Sequence, residues 1–140
     1  MIIGALVAVL LLQSGSWTWT LYEGDGPVVL ANEIPDTANL RSTLECVAGS
    51  GIAKLSIYGL TPSGPFATLS SGQAAEAAAI PVARGRNDAA EITIRTDHPV
   101  FDGFVSGGTL GVTIGEDRSV VTVDPDSVAK LRRFADLCGG

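Results

Sequence analysis

Each of the two cysteines of this chain ends a different apolar periodicity, and that placement constrains the fold more than any other feature. Cys138 closes the segment DPDSVAKLRRFADLCGG, where Val128, Leu131, Ala135 and Cys138 recur at the spacing of one helix face, with Phe134 flanking them. Asp124 can cap this helix, Pro125 suits its first turn and Gly139 its exit, and Arg132 and Arg133 sit towards the negative end of the helix dipole. Cys46 stands in LRSTLECV, where Leu40, Leu44 and Cys46 alternate with Arg41, Thr43 and Glu45 as on a half-buried strand. Both thiols face inward on this pattern. A Cys46–Cys138 disulfide clamping a terminal helix onto a sheet is therefore expected, closing a span of 92 residues. Chain entropy gives a loop of that length about 4 to 5 kcal/mol before native strain is subtracted. Two reduced, buried thiols in a cytosolic protein are the alternative.

The N-terminus favours the bridge. An apolar run from Ile2 to Leu12 precedes the first charged residue, Glu23, and is too short for a free-standing bilayer helix, which needs about 20 apolar residues. Its length matches the core of a secretory signal peptide, and Ser14 and Ser16 place small residues where a signal peptidase reads. Residues 1–16 are accordingly expected to be a signal peptide and 17–140 a single disulfide-clamped β domain, periplasmic or secreted. The run has no Lys or Arg ahead of it, so an uncleaved anchor or a buried first strand is the other reading. No cysteine follows it that would carry a lipid. The run also raises the mean hydropathy of the whole chain to +0.33.

Between leader and helix the periodicity is that of strands. WTWTLY alternates Trp17, Trp19 and Leu21 against Thr18, Thr20 and Tyr22, and PVVLA follows a turn-rich EGDG. LRSTLECV and IAKLSIY are joined by AGSG, a hairpin signal, with Ala53, Leu55 and Ile57 facing in. After TPSGP come FATL and AAEAAAIPVA. Alanine propensity alone makes the latter a helix, but Pro81 and its β-rich neighbours favour a strand or edge segment. AEITIRT points Ala90, Ile92 and Ile94 inward, HPVFDGF reads as a turn or single helical turn packing Phe101 and Phe104, and TLGVTI and RSVVTV form a hairpin around GED. Short, regularly spaced strands with turn signals between them predict an all-β fold, an antiparallel sandwich or barrel with one C-terminal α-helix.

Candidate chemistry is sparse. The one histidine, His98, and the two cysteines are too few for a zinc cluster. Asp97, His98 and Asp102 lie close together and serines are plentiful, so a small hydrolase using His98 is one reading, but no GxSxG elbow is present and a turn histidine before Pro99 is the simpler one. GDG, GSG and SGG lack the strand-to-helix context of a phosphate loop. EGDGP, RTDHPVFDG and VDPDS hold acidic oxygens without the register of an EF-hand. Trp17 and Trp19 can stack on a sugar only if their shared face is exposed, and core packing is the plainer reading. No catalytic residue, cofactor or metal is assigned. The net charge of -6 disfavours nucleic acid and anionic membrane surfaces and suits a basic protein partner.

The aromatic first strand, TLECVAGSG, TLSSG and the closing RFADLC together resemble small exported β-domain proteins of Gram-negative bacteria, such as the invasion-associated locus B family. That resemblance spans most of 17–140. It implies a periplasmic β-sandwich, transfers no catalytic residue and names no ligand. Periplasmic lysozyme inhibitors, small disulfide-clamped β-barrels, are a second comparison, although TLSSGQAAE has their SG without the aromatic residue that follows it. The functional expectation is a non-enzymatic exported binding or accessory module; the alternatives are an inhibitor of a basic cell-wall-active enzyme and the His98 hydrolase.

Overall fold

Wherever apolar and polar residues alternate, the chain is extended. A computed structural model describes residues 16–60, 66–79 and 89–139. Nine strands run in order: β1 (Thr18–Tyr22), β2 (Val28–Glu33), β3 (Leu40–Cys46), β4 (Ile52–Tyr58), β5 (Phe66–Ser71), β6 (Ala74–Ala79), β7 (Ala89–Arg95), β8 (Thr109–Ile114) and β9 (Asp117–Thr122). Helix α1 (Pro99–Gly107) separates β7 from β8, and α2 (Val128–Gly139) follows β9 after a 3-10 turn, Pro125–Ser127. Every strand pairing is antiparallel, in one sheet of order β1-β2-β3-β4-β7 and a second of order β6-β5-β8-β9. This is the two-sheet β fold with a C-terminal helix that the periodicity predicts. The expected leader up to Gly15, the TPSGP turn and the IPVA end of the alanine-rich segment lie outside the described residues.

Pairing overrides propensity in the alanine-rich segment. Ala74–Ala79 has the composition of a helix but pairs with β5 along its whole length, from Ser71↔Ala74 to Phe66↔Ala79, and forms the edge of the smaller sheet. The inward faces of the other strands meet in one apolar cluster containing Leu30, Leu44, Leu55, Ile92, Leu110 and Ile114, all buried.

HPVFDGF is not a turn or a single helical turn but the start of a nine-residue helix. Its two glycines, Gly103 and Gly107, depress helix propensity and mask it in the sequence. Burial outweighs that cost: Val100, Phe101 and Phe104 share the inner face, the two rings in edge-to-face contact with centroids 6.4 Å apart. A Cβ on Gly103 would clash with the Ser71 hydroxyl oxygen and lie 3.2 Å from the Ser71 carbonyl oxygen, so Ser71 would have to shift. At the same crossing the buried Ser71 hydroxyl donates to the Val100 carbonyl at 2.6 Å and pins α1 to β5.

Helix α2 buries Leu131, Phe134 and Cys138, so Phe134 is central to the face rather than flanking it. Asp124 does not cap it as expected: its carboxylate accepts from the Ser127 hydroxyl at 3.2 Å instead of from the backbone. The helix packs on β1, β2 and β4 while α1 packs on β5, β6 and β8, and the two helices touch, so together they bridge the sheets. Cys46 and Cys138 are joined, their Cα atoms 5.9 Å apart. The AGSG hairpin loop adds a second tie. Gly49 N–H donates to the Leu137 carbonyl at 2.8 Å and Gly51 N–H to the Cys138 carbonyl at 2.7 Å, satisfying acceptors that a helix end leaves open. Both glycines hold positive φ, 76° and 72°, which aims their amides at the helix.

Two outcomes are expected of the packing. Cys46→Ser should lower unfolding free energy by about 2 to 5 kcal/mol in denaturant titration, and non-reducing peptide mapping should recover Cys46 joined to Cys138. Gly103→Ala gains up to about 1 kcal/mol of helix propensity but forces α1 off β5, a strain of about 1 to 3 kcal/mol, so a net loss of stability is expected. An alanine variant as stable as the parent would show that the crossing is looser than described.

Candidate functional site

The last turn of α2 is held at the loop where β3 turns into β4. At the opposite end of β3 the sheets part, leaving a groove of about 570 Å³ between the start of β3, the ends of β2 and β4, and the free edge of β9. Its position follows from strand pairing. Ser42 is opposite Asn32 and Leu40 is opposite Glu33, so Arg41 is the extra residue of a β-bulge. A bulge bends the strand and re-aims the side chain it carries. The Arg41 guanidinium lies over the Trp17 ring, 4.1 Å from its centroid, and together they form one wall of the groove.

Arg41 has no carboxylate partner among the described residues. Glu33, the acid nearest in register, is occupied on the neighbouring strand: its carboxylate accepts the Tyr22 hydroxyl. That hydrogen bond, reinforced by the carboxylate charge, holds the Tyr22 phenol above its ordinary value of 10.0. Ser42 behind Arg41 is only 4% exposed, yet its hydroxyl makes no hydrogen bond among the described residues. The equally buried Ser56 of β4 also has no side-chain hydrogen bond among the described residues, so what sets Ser42 apart is its place on the wall of the groove. Asn32 lines the same wall with no side-chain hydrogen bond among the described residues, and Ile57 and Val121 supply an apolar floor.

The lining contains one cation, no carboxylate and no histidine. It can stack a planar group, accept or donate through Ser42 and Asn32, and hold an anion on Arg41. The two-tryptophan sugar platform is not formed, because Trp19 is 3% exposed in the core and donates its indole N–H to the Thr122 carbonyl at 3.1 Å, while Arg41 covers Trp17.

His98 lies elsewhere, and it is a helix cap rather than a turn residue. Its Nδ1 accepts the Val100 N–H at 3.1 Å, at the N-terminus of α1. Nδ1 is thus engaged by the backbone, whereas a triad histidine donates from that nitrogen to its orienting carboxylate. Asp97 pairs with Arg95 at 2.6 Å. Asp102 is exposed one turn into the helix. The three residues are thus not assembled as a hydrolase constellation. Among the described residues no three His, Cys, Asp or Glu side chains group to hold a metal, and no helix is long and apolar enough to cross a membrane.

Arg41, Ser42 and the β9 edge carry no signal in the sequence that marks them as a site. Arg41 reads as one of three outward residues on an alternating strand, and the bulge that re-aims it is imposed by pairing with β2. No protein-family model, curated protein or solved structure matches the chain.

One electrostatic outcome is expected here. The phenol–carboxylate bond favours protonated Tyr22, so what it contributes to stability is present below pH 10 and is lost as pH rises through the raised value. Tyrosinate absorbance should show a late component that Tyr22→Phe removes. If the titration curve of the variant keeps that component, Glu33 is not held by Tyr22.

Proposed function

We propose that the chain is an exported, non-enzymatic binding module that takes a segment of another protein into the groove at the open end of the sandwich. The observation that carries this reading is the buried Ser42 hydroxyl, which lines an open groove beside Asn32 and the unpaired Arg41. A polar group on the wall of an open groove is within reach of whatever occupies that groove, water or a ligand. Export is supported by the apolar segment Ile2–Leu12, by a disulfide of the kind that persists in oxidising compartments, and by the resemblance to exported β-domain proteins. The net charge of -6 draws basic surfaces to the rest of the molecule, so a partner that is basic overall and acidic where it enters the groove suits both features.

The test is site-specific photo-cross-linking in cells that export the protein with its leader. A photoreactive residue at Val120, on the groove, should yield discrete protein adducts, and one at Val47, exposed at the far end of β3, should not. Intact mass of the recovered protein should begin within a few residues of Trp17. Equal labelling from the two positions, or none from Val120, would refute the groove, and a full-length chain in the membrane fraction would refute cleavage of the leader.

A further inference from the structure

The groove has a backbone wall whose hydrogen bonds are unused. Val123 N–H donates to the Gly108 carbonyl at 2.7 Å, so that pair is hydrogen-bonded across the β8–β9 ladder. An antiparallel ladder alternates hydrogen-bonded and open pairs. Val121 and Ser119 therefore bond to Leu110 and Val112, while Arg118, Val120 and Thr122 turn their N–H and C=O groups away from β8 towards the free edge. The Thr122 carbonyl is taken by the Trp19 indole at 3.1 Å, which closes the edge at that point. Among the described residues the outward N–H and C=O groups of Arg118 and Val120 have no partner, and Val120 lies on the groove. On the β1 edge of the larger sheet, Lys130 Nζ of α2 donates to the Trp19 carbonyl at 2.7 Å and closes that edge at one point in the same way.

Exposed sheet edges are normally blunted by short length, charged side chains, proline, a bulge or a covering element, because they recruit further strands. The open stretch of β9 carries the charge of Arg118 but neither proline nor bulge, and shows Val120 54% exposed. At the Val120 end the nearby charge on the groove is the cation Arg41. The two cations that flank the open stretch, Arg41 and Arg118, have no carboxylate partner among the described residues; Arg118 reaches only the Thr113 hydroxyl at 3.4 Å. Glu116 and Asp117 sit at the hairpin turn beyond Arg118, so an incoming acid is favoured at the Arg41 end.

We infer that the edge of β9 takes up an extended, acidic segment of a partner protein as an added strand, with a carboxylate of that segment on Arg41. Main-chain bonds to Val120 supply affinity without regard to sequence, and Arg41, held by Trp17, supplies the preference for an acid. Ser42 and Asn32 lie where a polar side chain on the groove-facing side of the added strand finds them. This assignment rests on the binding-module reading and names its partner class.

The experiment uses a short, end-blocked peptide of alternating valine and threonine with one central glutamate, its glutamine analogue, and the glutamate peptide with alternate amides N-methylated. Binding is followed by amide and indole NMR shifts and by hydrogen exchange of the Val120 amide. The glutamate peptide should protect Val120 and shift Trp17, the glutamine analogue should bind about tenfold or more weakly, and N-methylation should abolish binding. Arg41→Gln, an exposed substitution, should erase the difference between glutamate and glutamine peptides. Val120→Pro removes an N–H that faces away from β8 and should abolish binding of both while leaving the fold intact. Equal affinity of the two peptides for the parent protein would overturn the acidic preference. Protection of Val120 that rises with protein concentration without peptide would overturn the assignment in favour of two copies pairing edge to edge. Adducts from the photoreactive residue at Val120 with no binding of any peptide would overturn the added strand yet leave the groove as a binding site; absence of both would remove the module reading itself.

Discussion

The link between Cys46 and Cys138 is the constraint on which the rest of the arrangement depends. A twelve-residue helix at the end of a chain is short for independent stability and frays without tertiary support. Here its last turn is held three times, by the disulfide and by two loop amides, those of Gly49 and Gly51. Fixing that end also fixes the direction in which Leu131 and Phe134 enter the core, and with them the place where α1 can pack. The Gly51 carbonyl in turn accepts the Thr96 N–H at 2.9 Å, so the same loop positions the exit of β7 from which α1 begins. One hairpin loop thus serves the C-terminus of one helix and the approach to the other.

Among the described residues, the ties that fix the end of α2 and the approach to α1 gather at the β3–β4 loop, and neither helix lines the groove at the other end of β3. The strands reach the far end with their partners fixed by register, and the mismatch of one residue between β2 and β3 is absorbed as the bulge at Arg41. Trp19 ties the sheets there through its bond to Thr122. The groove is accordingly a consequence of topology as well as of the residues that line it. Substitutions at Arg41 or Val120 act on what the groove takes up, and substitutions at Cys46 or Gly103 act on whether it exists.

How far the sequence discloses this depends on the range over which each feature is determined. Alternation along a strand is local, and the inward residues of β3, β4 and β7 are legible in it, as is the apolar face of α2 that places Cys138 inside. Helix α1 is less legible because its glycines lower local propensity; it forms because Phe101 and Phe104 find a core made by strands distant in sequence, and because Gly103 admits the backbone of β5. The alanine-rich β6 is resolved by its proline-bearing context rather than by its own composition. Least legible is the site. Whether Arg41 continues an alternation or occupies a bulge depends on a β2 register that a single sequence does not state, and whether β9 ends a sheet or sits inside one depends on strand order.

Energetics explain how such a groove can be kept. Ser42 lines the groove, so solvent reaches its hydroxyl there, and the cost of about 1 to 3 kcal/mol that an enclosed, unpaired hydroxyl carries does not fall on it in full. An unpaired Arg41 adds little, since the guanidinium is exposed, well solvated and partly compensated by the Trp17 ring. The disulfide contributes about 2 to 5 kcal/mol and lies at the other end of β3, away from the groove. The clamp and the groove are therefore separate in the fold, and a ligand that bonds Ser42 and Arg41 would replace their solvent rather than relieve a strain in the domain.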